Sequence, residues 1–140
     1  MSQFKRWIAA ARLRTLPLSV SGIIVGASLG GETSIWKSAI FWLAIATTIG
    51  FQVLSNFAND YGDGIKGTDD HREGEKRLVA SGSISAESMK KGMIVTTILT
   101  LLVAICLIYW SFGLEDLLLS SIFILLGLAS ITAAIKYTVG

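Results

Sequence analysis

Asn56-Phe-Ala-Asn59-Asp60-Tyr-Gly-Asp63-Gly-Ile-Lys66-Gly67-Thr-Asp69-Asp70 closes an apolar run that begins near Ile35. The run approaches the length of about 20 helical residues that a bilayer crossing needs. At about 100° per residue, Asn56, Asn59, Asp60 and Asp63 fall within one arc of about 100° on a helix. Gly62, Gly64 and Gly67 follow closely, and they could simply end the helix and let these side chains meet water. That accounts for a single Asp more easily than for a whole polar face. Carboxylates near membrane depth are costly and usually functional. A divalent cation holds several together, and hard oxygen donors suit Mg2+, which completes its shell with water and substrate phosphate. The stretch predicts a membrane-embedded site for a diphosphate.

The rest of the chain supports a membrane setting. Of its 140 residues, 52% are hydrophobic and 16% charged, with a mean hydropathy of +0.63, which excludes an ordinary soluble domain. Apolar segments near 16–30, 35–57, 93–110 and 117–135 each approach bilayer length, the first being short. The expected fold is all-α, an integral membrane helical bundle with four transmembrane helices in this chain. Short links (31–33 and 112–116) join the first pair and the last pair, and a long polar one (60–91) joins the middle two. Cys106 lies in an apolar run as a small packing residue and, as the single cysteine, cannot form an intrachain disulfide. The basic residues lack the aromatic interleaving of a single-strand binder, so no nucleic-acid partner is expected.

Charge sets the expected orientation. Lys5, Arg6, Arg12, Arg14, Lys66, Arg72, Lys76, Arg77, Lys90, Lys91 and Lys136 fall on one side of this topology, and Lys37 alone on the other. The positive-inside rule puts the N-terminus and the long loop in the cytoplasm. Trp36 and Trp110 then lie near the outer interface and Trp7 near the inner one, unless they are ordinary packing residues. A rival exists for the first segment. Arg12 and Arg14 ahead of an apolar stretch ending in Val25-Gly-Ala27 also fit a signal peptide. Its removal would leave three spans and move the acidic loop outside, against its basic residues.

Other candidates flank the polar arc. Arg12-Leu-Arg14-Thr-Leu-Pro17 is either a basic wall beside a site or a positive-inside anchor, and Pro17 suits a helix's first turn. Lys76 and Arg77 are candidates for diphosphate oxygens, Arg offering a bidentate fork, or else part of a solvated charge run. Asp69 and Asp70 either add a ligand, position a lysine or belong to a solvated loop. His71 between charges reads as a surface residue. Ser85 is placed to cap the helix leading into the third span.

These residues resemble the UbiA superfamily of intramembrane polyprenyltransferases, and within it the menaquinone branch. The likeness runs along essentially the whole chain: Arg14-Thr-Leu-Pro17, Leu54-Ser-Asn56 through Asp63, Gly67-Thr-Asp69, Lys76 to Gly82, and Ala133-Ala-Ile-Lys-Tyr137-Thr-Val-Gly140. The superfamily pattern is Asn, an Asp four later and another four later again. Asn59 and Asp63 match; Gly67 departs, and the branch has its acid two residues on, here Asp69. The resemblance implies Asn59, Asp63 and Asp69 as Mg2+ ligands and Asp60, Asp63 and Arg77 as catalytic. Arg14, Lys66, Lys76 and Arg77 would contact the diphosphate, with Asn56 and Asp60 behind the metal. Which of Asp60, Asp69 and Asp70 completes the metal site stays open, and Leu13 stands where many relatives have Pro. The implied reaction moves a polyprenyl group from its diphosphate to 1,4-dihydroxy-2-naphthoate, with loss of carbon dioxide, in a bacterial cytoplasmic (inner) membrane. The family bundle has about nine transmembrane helices and two acidic motifs. Residues 1–140 are therefore expected to be the N-terminal portion of one such domain, inactive alone.

Two rivals use similar residues. Asp60-Tyr-Gly-Asp63-Gly64 begins like a CDP-alcohol phosphotransferase motif, but Gly67 and Thr68 stand where Ala-Arg is required. A cation channel or transporter subunit could line a pathway with the Asn/Asp face, yet it would have no use for Lys76 and Arg77.

Overall fold

The computed structural model describes residues 2–30, 34–67 and 77–139. Helices and turns make up the described residues, with no strand among them. Helix α1 (Gln3–Ala11) leads through a single 3-10 turn (Leu13–Thr15) into α2 (Leu16–Leu29); a second 3-10 turn (Ile35–Lys37) precedes α3 (Ala39–Lys66). Helices α4 (Ala86–Phe112) and α5 (Leu117–Val139) complete the order. Four stretches are long and apolar enough to cross a membrane: Gln3–Leu29, Ala39–Lys66, Ala86–Phe112 and Leu117–Tyr137. The four expected spans are present, and α3 is the hub, packing on α1, α2, α4 and α5.

The first span differs from expectation. It starts at α1, well before Leu16, and is broken in the middle. Ser2 caps α1, its hydroxyl accepting from the Lys5 N–H. Arg12 ends it in the left-handed region, at φ 49° and ψ 57°. That conformation costs a non-glycine residue about 1 kcal/mol, and local bonds offset it: the Thr15 hydroxyl and the Thr15 N–H both donate to the Arg12 carbonyl, at 2.9 Å each. Pro17 then starts α2, where its missing N–H costs nothing.

Helix α3 also runs further than its glycines suggest. It passes through Gly62 and Gly64 without a break and ends at Lys66, where Gly67 (φ 65°) caps it in the left-handed region. A glycine inside a helix costs about 1 kcal/mol against alanine. At Gly64 the lost propensity is offset by close packing: an added Cβ would lie 2.5 Å from Val79 Cγ1 and 2.7 Å from Val79 Cβ.

The best-buried packing lies toward the end of α3 that carries the polar arc. Leu54, Phe57 and Ala58 meet Ala10, Met89, Met93, Ile131, and Leu78 and Ile84 of the segment between α3 and α4. Trp7, half-buried, packs against this core. Its ring meets Phe57 edge-on with centroids 5.4 Å apart and lies against Gly92, where a Cβ would come within 2.6 Å of the indole. Trp36 and Trp110 are more than half exposed, as interfacial anchors would be. Much of the apolar surface of α4 and α5 is uncovered, Leu102, Ile105, Leu118 and Leu125 included. As expected, Ser85 caps α4, its hydroxyl accepting from the Ser88 N–H at 3.2 Å.

Candidate active site

The polar arc of α3 divides into two rows, each spaced by four residues. Asn56 and Asp60 are 4% and 1% exposed. Asn59 and Asp63 are only partly buried. A helical wheel puts all of them on one face; what packs against the face separates them.

In the buried row Asn56 ties the broken first span to α3. Its side-chain NH2 donates to the Ala11 carbonyl at 2.8 Å and to the Thr15 hydroxyl at 3.1 Å. Its oxygen accepts from Gln52 Nε2, and the Gln52 oxygen accepts from the Ser19 hydroxyl. A helix end without partners is unfavourable in lipid, and Asn56 supplies one for the Ala11 carbonyl. Asn56, expected behind the metal, is here bonded to the helix break.

Asp60 is likewise engaged by backbone. One carboxylate oxygen accepts the Leu78 N–H at 3.1 Å and the other the Val79 N–H at 3.0 Å. With a hydrogen bond on each oxygen, Asp60 fixes the turn after Arg77.

That turn is tightly built. Ser81 N–H bonds to the Arg77 carbonyl, Gly82 N–H to Val79 and Ile84 N–H to Leu78, each at 3.0 Å. Gly82 takes φ 67°, which only glycine adopts cheaply. Arg6 of α1 donates to the Ser83 carbonyl at 3.0 Å. The turn brings the Arg77 guanidinium onto Asp63, Nη2 to Oδ2. Arg77 is buried and the Asp63 side chain is 24% exposed, so the pair opens outward through the carboxylate.

Of the other sequence candidates, Lys66 and Arg14 are among the described residues. Lys66 is exposed on the last turn of α3, one helical turn past Asp63. Arg14 is exposed in the 3-10 turn, next to the Thr15 that Asn56 holds. Asp69, Asp70, His71 and Lys76 lie outside the described residues. Among the described residues no three His, Cys, Asp or Glu side chains gather as a metal cluster. What is assembled is an outward carboxylate and a guanidinium. Sequence reasoning did not assign the Asp60 contacts. Their one available signal was an Asp at helical spacing behind the pair.

An intramembrane helical bundle with an acidic–basic pair at the end of one span defines the class. The chain belongs to the UbiA prenyltransferase family, whose model matches residues 19–140. It is 41% identical over 142 residues to a 1,4-dihydroxy-2-naphthoate octaprenyltransferase of Haemophilus influenzae, covering 99% of this chain and 45% of that protein. A protein of the same name from Escherichia coli is 38% identical over 141 residues, covering 100% of this chain and 45% of the relative. One from Mycobacterium leprae is 45% identical over 85 residues, covering 58% and 28%. The chain thus spans about half the length of the curated relatives first matched. No solved structure matches it.

Proposed function

We propose that this chain carries the donor-diphosphate half of a menaquinone-type prenyltransferase site. The polyprenyl group would pass from its diphosphate to 1,4-dihydroxy-2-naphthoate, giving demethylmenaquinone with loss of carbon dioxide. The observation that carries this is the Arg77–Asp63 pair, one helical turn from Asn59, in a chain 38% to 41% identical to octaprenyltransferases along its length. Asn59 and Asp63 offer hard oxygens on a partly open face, which fits Mg2+ in kind. Asp69 is the further ligand proposed. When bound, Mg2+ supplies Lewis-acid neutralisation of charge on the leaving diphosphate. Arg77 presents a planar fork to phosphate oxygens, and Lys66, Lys76 and Arg14 are the further cations proposed for them. The protein's part is to hold the diphosphate where negative charge grows as the allylic C–O bond breaks. The electron-rich ring carbon then attacks the allylic carbon. A cation pathway has weaker support, since it gives the buried Arg77 no task.

The test is mass spectrometry of products from a polyprenyl diphosphate and candidate aromatic acceptors. Residues 1–140 alone are expected to yield no prenylated product. Co-expression with the C-terminal half of the Haemophilus influenzae relative is expected to yield it, because membrane helices insert first and pack afterwards. Robust transfer by residues 1–140 alone would show that the site is not shared.

Orientation is part of the proposal: a bacterial cytoplasmic membrane with the Arg77 turn on the cytoplasmic side. In a Cys106→Ser background, Ser81→Cys should resist an impermeant thiol reagent applied to intact cells, and Ser34→Cys should react. The reverse pattern contradicts the orientation.

A further inference from the structure

We propose that Asp60 is a positioning residue that presents Arg77 to Asp63 and to the donor diphosphate. The inference rests on the diphosphate role of Arg77 proposed above and adds what makes that role possible.

Arg77 follows a segment outside the described residues and is the first residue of a turn with little backbone of its own in a helix. A long cationic side chain on such a turn has many rotamers to lose. Three contacts fix its base. The Asp60 oxygens take the N–H groups of the next two residues, Leu78 and Val79, across 18 and 19 positions of sequence. Gly64 leaves room for Val79 against the helix, and an added Cβ would also come within 3.2 Å of Ala80 N. Leu78, at 9% exposure, is packed into the core beside Leu54 and Met89. Asp60, Asp63 and Gly64 therefore form one docking face on α3. Asp60 grips the turn, Gly64 admits it, and Asp63 receives the guanidinium one helical turn further along.

Asp60 is suited to this and poorly suited to metal. A buried carboxylate needs hydrogen bonds to both oxygens, and the turn provides them. The lone pairs left over lie in a place with 1% exposure, whereas Asn59 and Asp63 are only partly buried. Two carboxylates three residues apart thus divide the work: Asp60 fixes backbone and Asp63 faces the charge chemistry.

The experiment joins two readouts. Amide hydrogen exchange at Leu78 and Val79, read by NMR on residues 1–140 in micelles, reports the grip. Calorimetric titration of geranyl diphosphate with Mg2+ into the co-expressed assembly reports the site. Asp60→Asn should speed exchange at both amides and weaken geranyl diphosphate about 10-fold, the scale of one lost charge-assisted contact. Arg77→Gln should weaken it comparably without freeing the amides, and the double variant should bind no worse than either single one, because both act through Arg77. Val79→Pro removes one gripped N–H and leaves the carboxylate intact. It should reproduce the Asp60→Asn loss, and it serves also if Asp60→Asn does not assemble. Unchanged exchange in Asp60→Asn overturns the grip. Additive losses, or full affinity in Val79→Pro, overturn positioning in favour of direct ligation by Asp60. Full affinity in Arg77→Gln overturns the underlying diphosphate role, and this role of Asp60 with it.

Discussion

Asp63→Asn is expected to lower prenyl transfer by at least about 100-fold, or about 2.7 kcal/mol of transition-state stabilisation. The substitution keeps the size of the side chain and one carbonyl oxygen. It removes the charge that faces Arg77 and the carboxylate paired in sequence with Asn59. Metal affinity and the placement of Arg77 both fall, and both act where leaving-group charge develops. There is also a stability cost, since breaking a buried ion pair from one side can reach about 3 kcal/mol. The 24% exposure of the Asp63 side chain reduces that figure. Helix insertion does not depend on the pair, because each span satisfies its own backbone in lipid. Circular dichroism should therefore match wild type while turnover drops. Asp70→Asn should cost far less. Equal rates for Asp63→Asn and wild type at limiting Mg2+ would refute the assignment of the site.

Gly64→Ala carries the second large effect, and here two terms oppose each other. Alanine in a helix gains about 1 kcal/mol over glycine. Its Cβ would meet Val79 Cγ1 at 2.5 Å and Val79 Cβ at 2.7 Å. Rotating Val79 moves Cγ1 but not Cβ, so backbone must shift. Overpacking of this kind costs about 1–3 kcal/mol, which outweighs the helix gain. The displaced element is the turn that begins at Arg77, so activity should fall at least about 10-fold. Gly127→Ala, where an added Cβ meets nothing within 4 Å, should leave activity unchanged. Adding Val79→Gly to Gly64→Ala removes both colliding side-chain atoms and should recover part of the loss. Full activity of Gly64→Ala in a turnover assay would show that the turn tolerates displacement.

The spans were legible because each is a long apolar run between polar links, and membrane helices have few alternatives. The Ser85 cap and Pro17 at a helix start were legible for similarly local reasons. The break at Arg12 was not. Nothing in Arg12-Leu-Arg14 demands a left-handed residue, and besides the local Thr15 bonds the break is held by Asn56 of another helix. Gly62 and Gly64 resemble a stop, but Gly64 lies where the Val79 turn comes down on α3. The polar arc was found as a whole, and its division was invisible. Spacing gives the angle of Asn56, Asn59, Asp60 and Asp63 around α3; it does not say that Ala11 and the turn at Leu78 cover one edge and leave the other open. Asp60 and Asp63 carry the same functional group, and only the fold distinguishes their surroundings.

The break in the first span has a further consequence for how this protein sits in a bilayer. Helix α2 has 14 residues, a rise of about 21 Å, well short of a hydrocarbon core of about 30 Å. The 28-residue α3 that packs on it has no such deficit, so neighbouring helices ask for different thicknesses. The shortfall is met by α1, with Phe4 and Ile8 exposed on either side of Lys5 and Arg6, completing the crossing, or by the lipid thinning locally around it. Either way the leaflet is drawn toward the junction at Arg12–Thr15, next to Asn56. Polar headgroups thereby come closer to the open row of Asn59 and Asp63, and under the proposed function the depth a diphosphate would descend depends on the lipid as well as on the chain.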